Sequence, residues 1–304
     1  MIPRTVQIDL CHDMERIAKS QLNKLGFDST EVENLKNPLL RLLEYNIKRI
    51  PLIKREIAIS AEFKCPSAYQ RAFGEFIQKV KNGEDINPFL SNKRDSVAEP
   101  DLLLYDWGVH HFHLTRRYNK KGKPTRSDYL IFAVCTDERM YFIQIYSHKK
   151  VAVFAQQEIL EIIYKNWPYL LKSFELSGIS IDDMSDQERM NIRNKHGLSL
   201  TGIFGKPYFS PGGGYMSDGS AFIAVHQSDF VWNQLKSLEE WIINNLSLIK
   251  SLYHRSAGQN MKRDLFFFKL IEFGQDSYTI IEKNNDIMVK FDFKNEMIEM
   301  VTRR

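Results

Sequence analysis

Two short apolar runs, Tyr129–Cys135 and Met140–Tyr146, are separated by only four residues, Thr136-Asp137-Glu138-Arg139. Both are dense in β-branched and aromatic residues, which favour extended backbone. Four residues cannot carry a crossover, so the runs must pair antiparallel as a hairpin. Val109–Thr115 has the same character and is joined to the first run by 116–128, which contains Lys-Lys-Gly-Lys-Pro. Downstream, Gln156–Asn166 carries Ile159, Leu160, Ile162 and Ile163, a helical stripe that leads to Trp167 and stops at Pro168. Three antiparallel strands with one helix packed on them form a minimal stable layer.

The flanks read differently. Residues 10–90 are expected to be helical. Asp9 or Asp13 can cap a helix ended by Gly26, Pro38 suits a first helical turn, and Ser67–Lys81 has Tyr69, Phe73, Phe76, Ile77 and Val80 on one stripe. The stretch 82–100 is rich in Asn, Asp, Ser, Gly and Pro and reads as a linker or ordered loop. Beyond 173, Ser185–His196 reads as a polar helix, and Leu198–Phe204 and Phe222–Val225 as strands. A long helix follows from Ser228 or Asp229, and Lys269–Ile281 with Ile287–Phe293 make a closing hairpin. The expected fold class is α+β: a helical region and linker over 1–100, an antiparallel sheet domain over 101–172, and an α+β region over 173–304.

Hydrophobic content of 43% and charged content of 26% belong to an ordinary globular chain, and 304 residues are enough for about two domains. The net charge of +4 permits nucleic-acid binding without requiring it. Cys11, Cys65 and Cys135 are widely spaced, so neither a disulfide framework nor a zinc ribbon is supported. The N-terminus lacks the apolar core of a signal peptide, and no apolar run is long enough to span a bilayer. The chain is therefore expected to be cytoplasmic, with no membrane partner.

Half of the eight histidines lie between Trp107 and Trp167. On a strand, His111 and His113 share one face and His110 points to the other. An HxH pair is a recurrent metal half-site, with His148, Asp106 and Asp128 as further candidates, but the plainer alternative is a structural sheet edge. The acid–base alternative uses His113 and His148 to move protons and Arg116 to hold a phosphate. Arg117, Lys120, Lys121 and Lys123 would contact a nucleic-acid backbone, and the plain alternative is a solvated basic loop. The glycines at 212–214 lack P-loop spacing, and a mobile loop is the expectation there.

The stretch His111–Lys149, with its Arg-rich loop, Asp-Tyr-Leu-Ile-Phe-Ala-Val and Tyr-Phe-Ile-Gln-Ile-Tyr-Ser-His-Lys, resembles the sheet of RelE/HigB-like toxins. The resemblance covers under a fifth of the chain, whose length and flanking regions depart from that family. It implies a compact antiparallel sheet presenting basic and histidine side chains to messenger RNA on the ribosome. Residues 87–114 also look like a group of uncharacterised bacterial proteins, which implies no activity. The expected function is a toxin-like or defence-associated, metal-independent ribonuclease without cofactor. Its expected partners are RNA or the ribosome and an antitoxin-like protein. The alternative is a non-catalytic nucleic-acid- or protein-binding module of a bacterial defence or mobile-element system.

Overall fold

A computed structural model describes residues 6–302 apart from 92–95, 97–98, 116, 120–123, 126, 258–264, 275–276 and 293–296, and apart from the side chains of 256–257, 297–298 and 300–302. The fold class is α+β. The chain divides into two compact units, one formed by Met1–Leu43 with His226–Arg304 and the other by Glu44–Val225. The boundaries expected near 100 and 172 both fall inside the second unit. Sequence blocks of distinct character thus do not coincide with the units, because one sheet draws its strands from both sides of residue 100.

In the discontinuous unit, α1 (Leu10–Lys24) is capped by Asp9, whose carboxylate accepts from His12 N–H at 2.9 Å. A short α2 (Ser29–Glu33) follows, and α3 (Pro38–Ile47) begins in this unit. The sheet is ordered β1 (Val6–Gln7), β8 (Phe266–Phe273), β9 (Ser277–Glu282), β10 (Ile287–Asp292) and β11 (Met297–Thr302). Only β1 runs parallel to its neighbour. Leu10, Met14, Ala18 and Leu22, spaced at helical intervals on α1, are fully buried in a core shared with Phe266, Phe268 and Ile280. Leu235, Leu238 and Ile242 of α8 (Phe222–Asn244) and Ile249 of α9 (Leu246–Ala257) complete it. The expected strand 269–281 is two strands joined near 274, so the closing region is a four-strand meander.

In the continuous unit, the four-stranded sheet is ordered β2 (Glu56–Ile59), β5 (Arg139–Ser147), β4 (Tyr129–Cys135) and β3 (Val109–His113). The last three pair antiparallel as expected. β2, expected to be helical, instead pairs parallel to β5, because Glu56-Ile-Ala-Ile59 completes a β edge. On one face, α4 (Gln70–Asn82) packs Phe73, Phe76 and Val80 against Phe112, Ile131 and Phe142. On the other, α5 (Leu102–Trp107) and α6 (Glu158–Asn166) bury Trp107, Ile159, Leu160 and Ile163 against Phe132, Tyr141 and Ile143. The sheet is therefore covered on both faces, not one.

After α7 (Asp186–Asn194), the short hairpin β6 (Thr201–Ile203) and β7 (Lys206–Tyr208) leads to the triple glycine. That segment is pinned to the end of α5. Gly212 N–H donates to the Asp106 carbonyl at 2.8 Å and Gly214 N–H to the Tyr105 carbonyl at 2.8 Å. A Cβ at Gly212 would lie 2.3 Å from the Leu104 carbonyl oxygen, so glycine serves close backbone approach here, not phosphate binding or a mobile loop. Phe222–Val225, expected as a strand, is the first turn of α8. Among the described residues no helix is long and apolar enough to cross a membrane.

Candidate active site

The antiparallel register sets which side chains meet. Val109, His111 and His113 lie opposite Val134, Phe132 and Leu130, all on the sheet face that carries α6. His110 and Phe112 lie opposite Ala133 and Ile131, on the α4 face. The two-residue period of the strand thus separates His110 from its neighbours as expected.

His148 reaches the same face through an irregularity that strict alternation would miss. Met140 and Phe142 face α4, while Tyr141 and Ile143 face α6. Alternation would then turn Ile145 towards α6 and Tyr146 and His148 away. The pairing instead jumps from Phe132↔Gln144 to Ala133↔Phe142, leaving Ile143 as an extra residue in β5. Beyond this bulge the faces exchange: Ile145 joins the α4 core and Tyr146 the α6 core. His148 follows Tyr146 by two residues, and its N–H is held by the Asp128 carbonyl.

His111, His113 and His148 consequently line one cavity of about 440 Å³, within the size range of small-molecule sites. The His113 and His148 rings are stacked, with centroids 6.2 Å apart and planes inclined by 22°. His111 lies 6.3 Å from His113. His113 Nδ1 lies 3.4 Å from the Ser127 carbonyl oxygen, a long contact in which the carbonyl can only accept. His113 is buried and His148 is exposed, so the pair runs from the floor of the cavity to its mouth.

Phe154 forms an aromatic wall 5.0 Å from His111 and 5.8 Å from His148, measured between ring centroids. Two buried arginines four residues apart on α7 fix it. Arg193 donates to the Phe154 carbonyl, and Arg189 donates to the Ala155 carbonyl at 3.0 Å and to Gln157 Oε1 at 2.8 Å. Arg193 also pairs with Asp106 at 2.5 Å and lies over the Trp107 ring at 4.5 Å, while Asp106 accepts from Ser210 Oγ at 2.6 Å. A buried guanidinium needs its charge compensated, and Asp106 does this for Arg193, although the Arg193 Nε has no hydrogen-bond partner among the described residues, so the pair ties α5, α7 and the loop at 210 together. The polar rim comprises Glu99, Asp101 and Asn194.

Of the catalytic residues expected from sequence, His113 and His148 are brought together. Arg116, Lys120, Lys121 and Lys123 lie outside the described residues. Arg117 is exposed and does not line the cavity, and Tyr118 beside it lines a groove with Arg71 and Glu75 of α4. Arg193, Phe154, Asn194 and Glu99 were missed by sequence reasoning. The spacing of Arg189 and Arg193 on a helix opened by the capping box Ser185–Glu188 was the available signal.

Buried His110, on the opposite face, has its pKa pushed down to about 4. Loss of solvation is the main cause, and the Asp101 carboxylate opposes it only in part. Among the described residues no group of three or more His, Cys, Asp or Glu side chains is arranged to hold a metal ion. The cavity therefore offers two adjacent imidazoles, an aromatic wall and a carboxylate rim, a set suited to proton transfer on a bound planar ligand. No family model, curated protein or solved structure matches the chain.

Proposed function

We propose that this cavity is the active centre of a metal-independent ribonuclease of toxin-like or defence-associated type, acting on RNA in the cytoplasm. The observation that carries the reading is the stacked His113–His148 pair at 6.2 Å in one cavity. Two imidazoles at that separation can bridge a single phosphodiester, with contacts near 3 Å on each side. One neutral imidazole removes the 2′-OH proton. The 2′-oxygen attacks the adjacent phosphorus, and the bond from phosphorus to the 5′-oxygen breaks. The other imidazole, protonated, delivers its proton to that leaving oxygen. The products are a 2′,3′-cyclic phosphate and a 5′-hydroxyl, and the two histidines end with exchanged protonation states.

Arg116, three residues after His113, is the proposed cation for the scissile phosphate. Arg117, Lys120, Lys121 and Lys123 are the proposed contacts along the RNA backbone, where cations hold register without reading sequence. The ribosome as the setting, an antitoxin-like protein as inhibitor, and kinship with RelE/HigB-like toxins belong to the same proposal. The test is cleavage of a single-stranded RNA in the presence of EDTA. His148→Ala and His113→Ala are each expected to lower the rate by about 10²–10⁴-fold. Cleavage that persists in both variants, or that EDTA abolishes, would overturn the reading. It would leave a binding module in its place.

A further inference from the structure

The rim of the cavity carries carboxylates where a site for phosphate alone would carry cations. Its one described arginine, Arg193, is already matched by Asp106. Asp101 is also partly committed, since its Oδ1 accepts from Leu104 N–H at the start of α5. Glu99 differs. Its backbone is fixed at both ends, with N–H donating to Ser96 Oγ at 3.0 Å and its carbonyl accepting from Lys48 Nζ at 3.2 Å. Its carboxylate makes no hydrogen bond or ion pair among the described residues, yet it lines the cavity that holds the histidine pair.

A carboxylate only accepts, and its two oxygens accept side by side. A ligand edge that satisfies both must present two adjacent donors. Among the four RNA bases only guanine does so, with N1–H and the N2 amino group on its Watson–Crick edge. Adenine and cytosine offer one amino group next to a ring acceptor. Uracil offers one N–H between two carbonyl oxygens, which a carboxylate repels. The wall of His111, His148 and Phe154 supplies the aromatic surface on which an unstacked base is held while its edge is read.

We infer that this cavity binds the base of its RNA substrate and selects guanine through the Glu99 carboxylate. The inference deepens the ribonuclease reading and rests on it for the class of ligand, but the selection is measurable without cleavage. Asn194, which lines the same cavity, carries an amide that can donate to the acceptor atoms on the remaining guanine edge.

The experiment measures binding of guanosine, adenosine, cytidine and uridine 3′-monophosphates to the full chain by calorimetry. The expected result is preference for the guanosine nucleotide by roughly 5- to 150-fold, the worth of one good bidentate base contact. Glu99→Gln replaces one acceptor by a donor facing guanine's own donors, so it should erase the preference, while the other three affinities should hold or rise because a carboxamide matches their donor–acceptor edges. Glu99 is an exposed side chain whose local hydrogen bonds are made by its backbone, so E99Q should fold as the parent does. Equal binding of all four nucleotides, binding of none, or a preference unchanged in E99Q would each overturn the inference. If guanine preference stands while His113→Ala and His148→Ala leave RNA cleavage intact, the base pocket survives and the catalytic assignment falls.

Discussion

His110 has a consequence for stability that its strand neighbours do not share. Its pKa is about 4 in the folded chain, below the ordinary value of 6.5. Between those values the unfolded chain binds a proton that the folded chain does not. Stability from this group is therefore fully present above pH 6.5 and is lost as pH falls towards 4. The loss runs at ~1.4 kcal/mol per pH unit and amounts to a few kcal/mol at most. Urea unfolding at pH 7, 6, 5 and 4.5 should show this decline, and His110→Gln should flatten it. An identical pH profile in the two proteins would mean that His110 titrates normally in the fold. The face occupied by each histidine of β3 was legible in the sequence, because the period of a strand is two and nothing else is needed. Glu99 and Arg193 were not. They lie on the far sides of a loop and of a whole helix, and only tertiary packing brings them to His113.

At the level of elements, alternation in β4 and β5 gave the hairpin, and the 3.6-residue stripe gave α6. The bulge at Ile143 was invisible, since Phe142-Ile-Gln-Ile145 contains neither glycine nor any other local mark of one. Its effect is large: it decides whether Tyr146 and His148 face the α6 side or the α4 side. β2 was missed for a related reason, because a four-residue strand is recruited by the open edge of β5 and not by its own pattern. The triple glycine is the clearest case of a feature seen but misread. Gly212 approaches backbone atoms of Leu104, Tyr105 and Gly108, none of which can rotate away. Gly212→Ala should therefore destabilise by about 2–3 kcal/mol, at the upper end of typical overpacking costs. Gly74 in α4 is the matched control: a Cβ there meets nothing within 4 Å, and Gly74→Ala should stabilise by about 0.5–1 kcal/mol. Urea midpoints moving in the same direction for both variants would refute this account of the close approach.

The two compact units differ in how the chain makes them. One is assembled from both ends of the sequence, and the other is the uninterrupted stretch Glu44–Val225. Sequence reading expected consecutive regions because composition changes along the chain are local, whereas a strand such as β1 and the strand β8 that it joins are more than 250 residues apart. A continuous unit set within a discontinuous one needs its own two ends close together. Glu44 meets that need: its Oε1 accepts from Ala221 N–H at 2.9 Å, and Glu44 is almost fully buried. The continuous unit also holds both of its own cores, one on each sheet face, and all of the histidine cavity. The fragment 44–225 should therefore fold alone. It should unfold in urea in one cooperative transition, bind guanosine 3′-monophosphate, and lose that binding on Glu99→Gln. The fragment 226–304 alone should stay unfolded, because Leu10, Met14, Ala18 and Leu22 of α1 supply the apolar surface that packs against Phe266, Phe268 and Ile280. Circular dichroism and urea titration of the two fragments decide the matter. A non-cooperative 44–225, or an independently folded 226–304, would show that the units are not separable in this way.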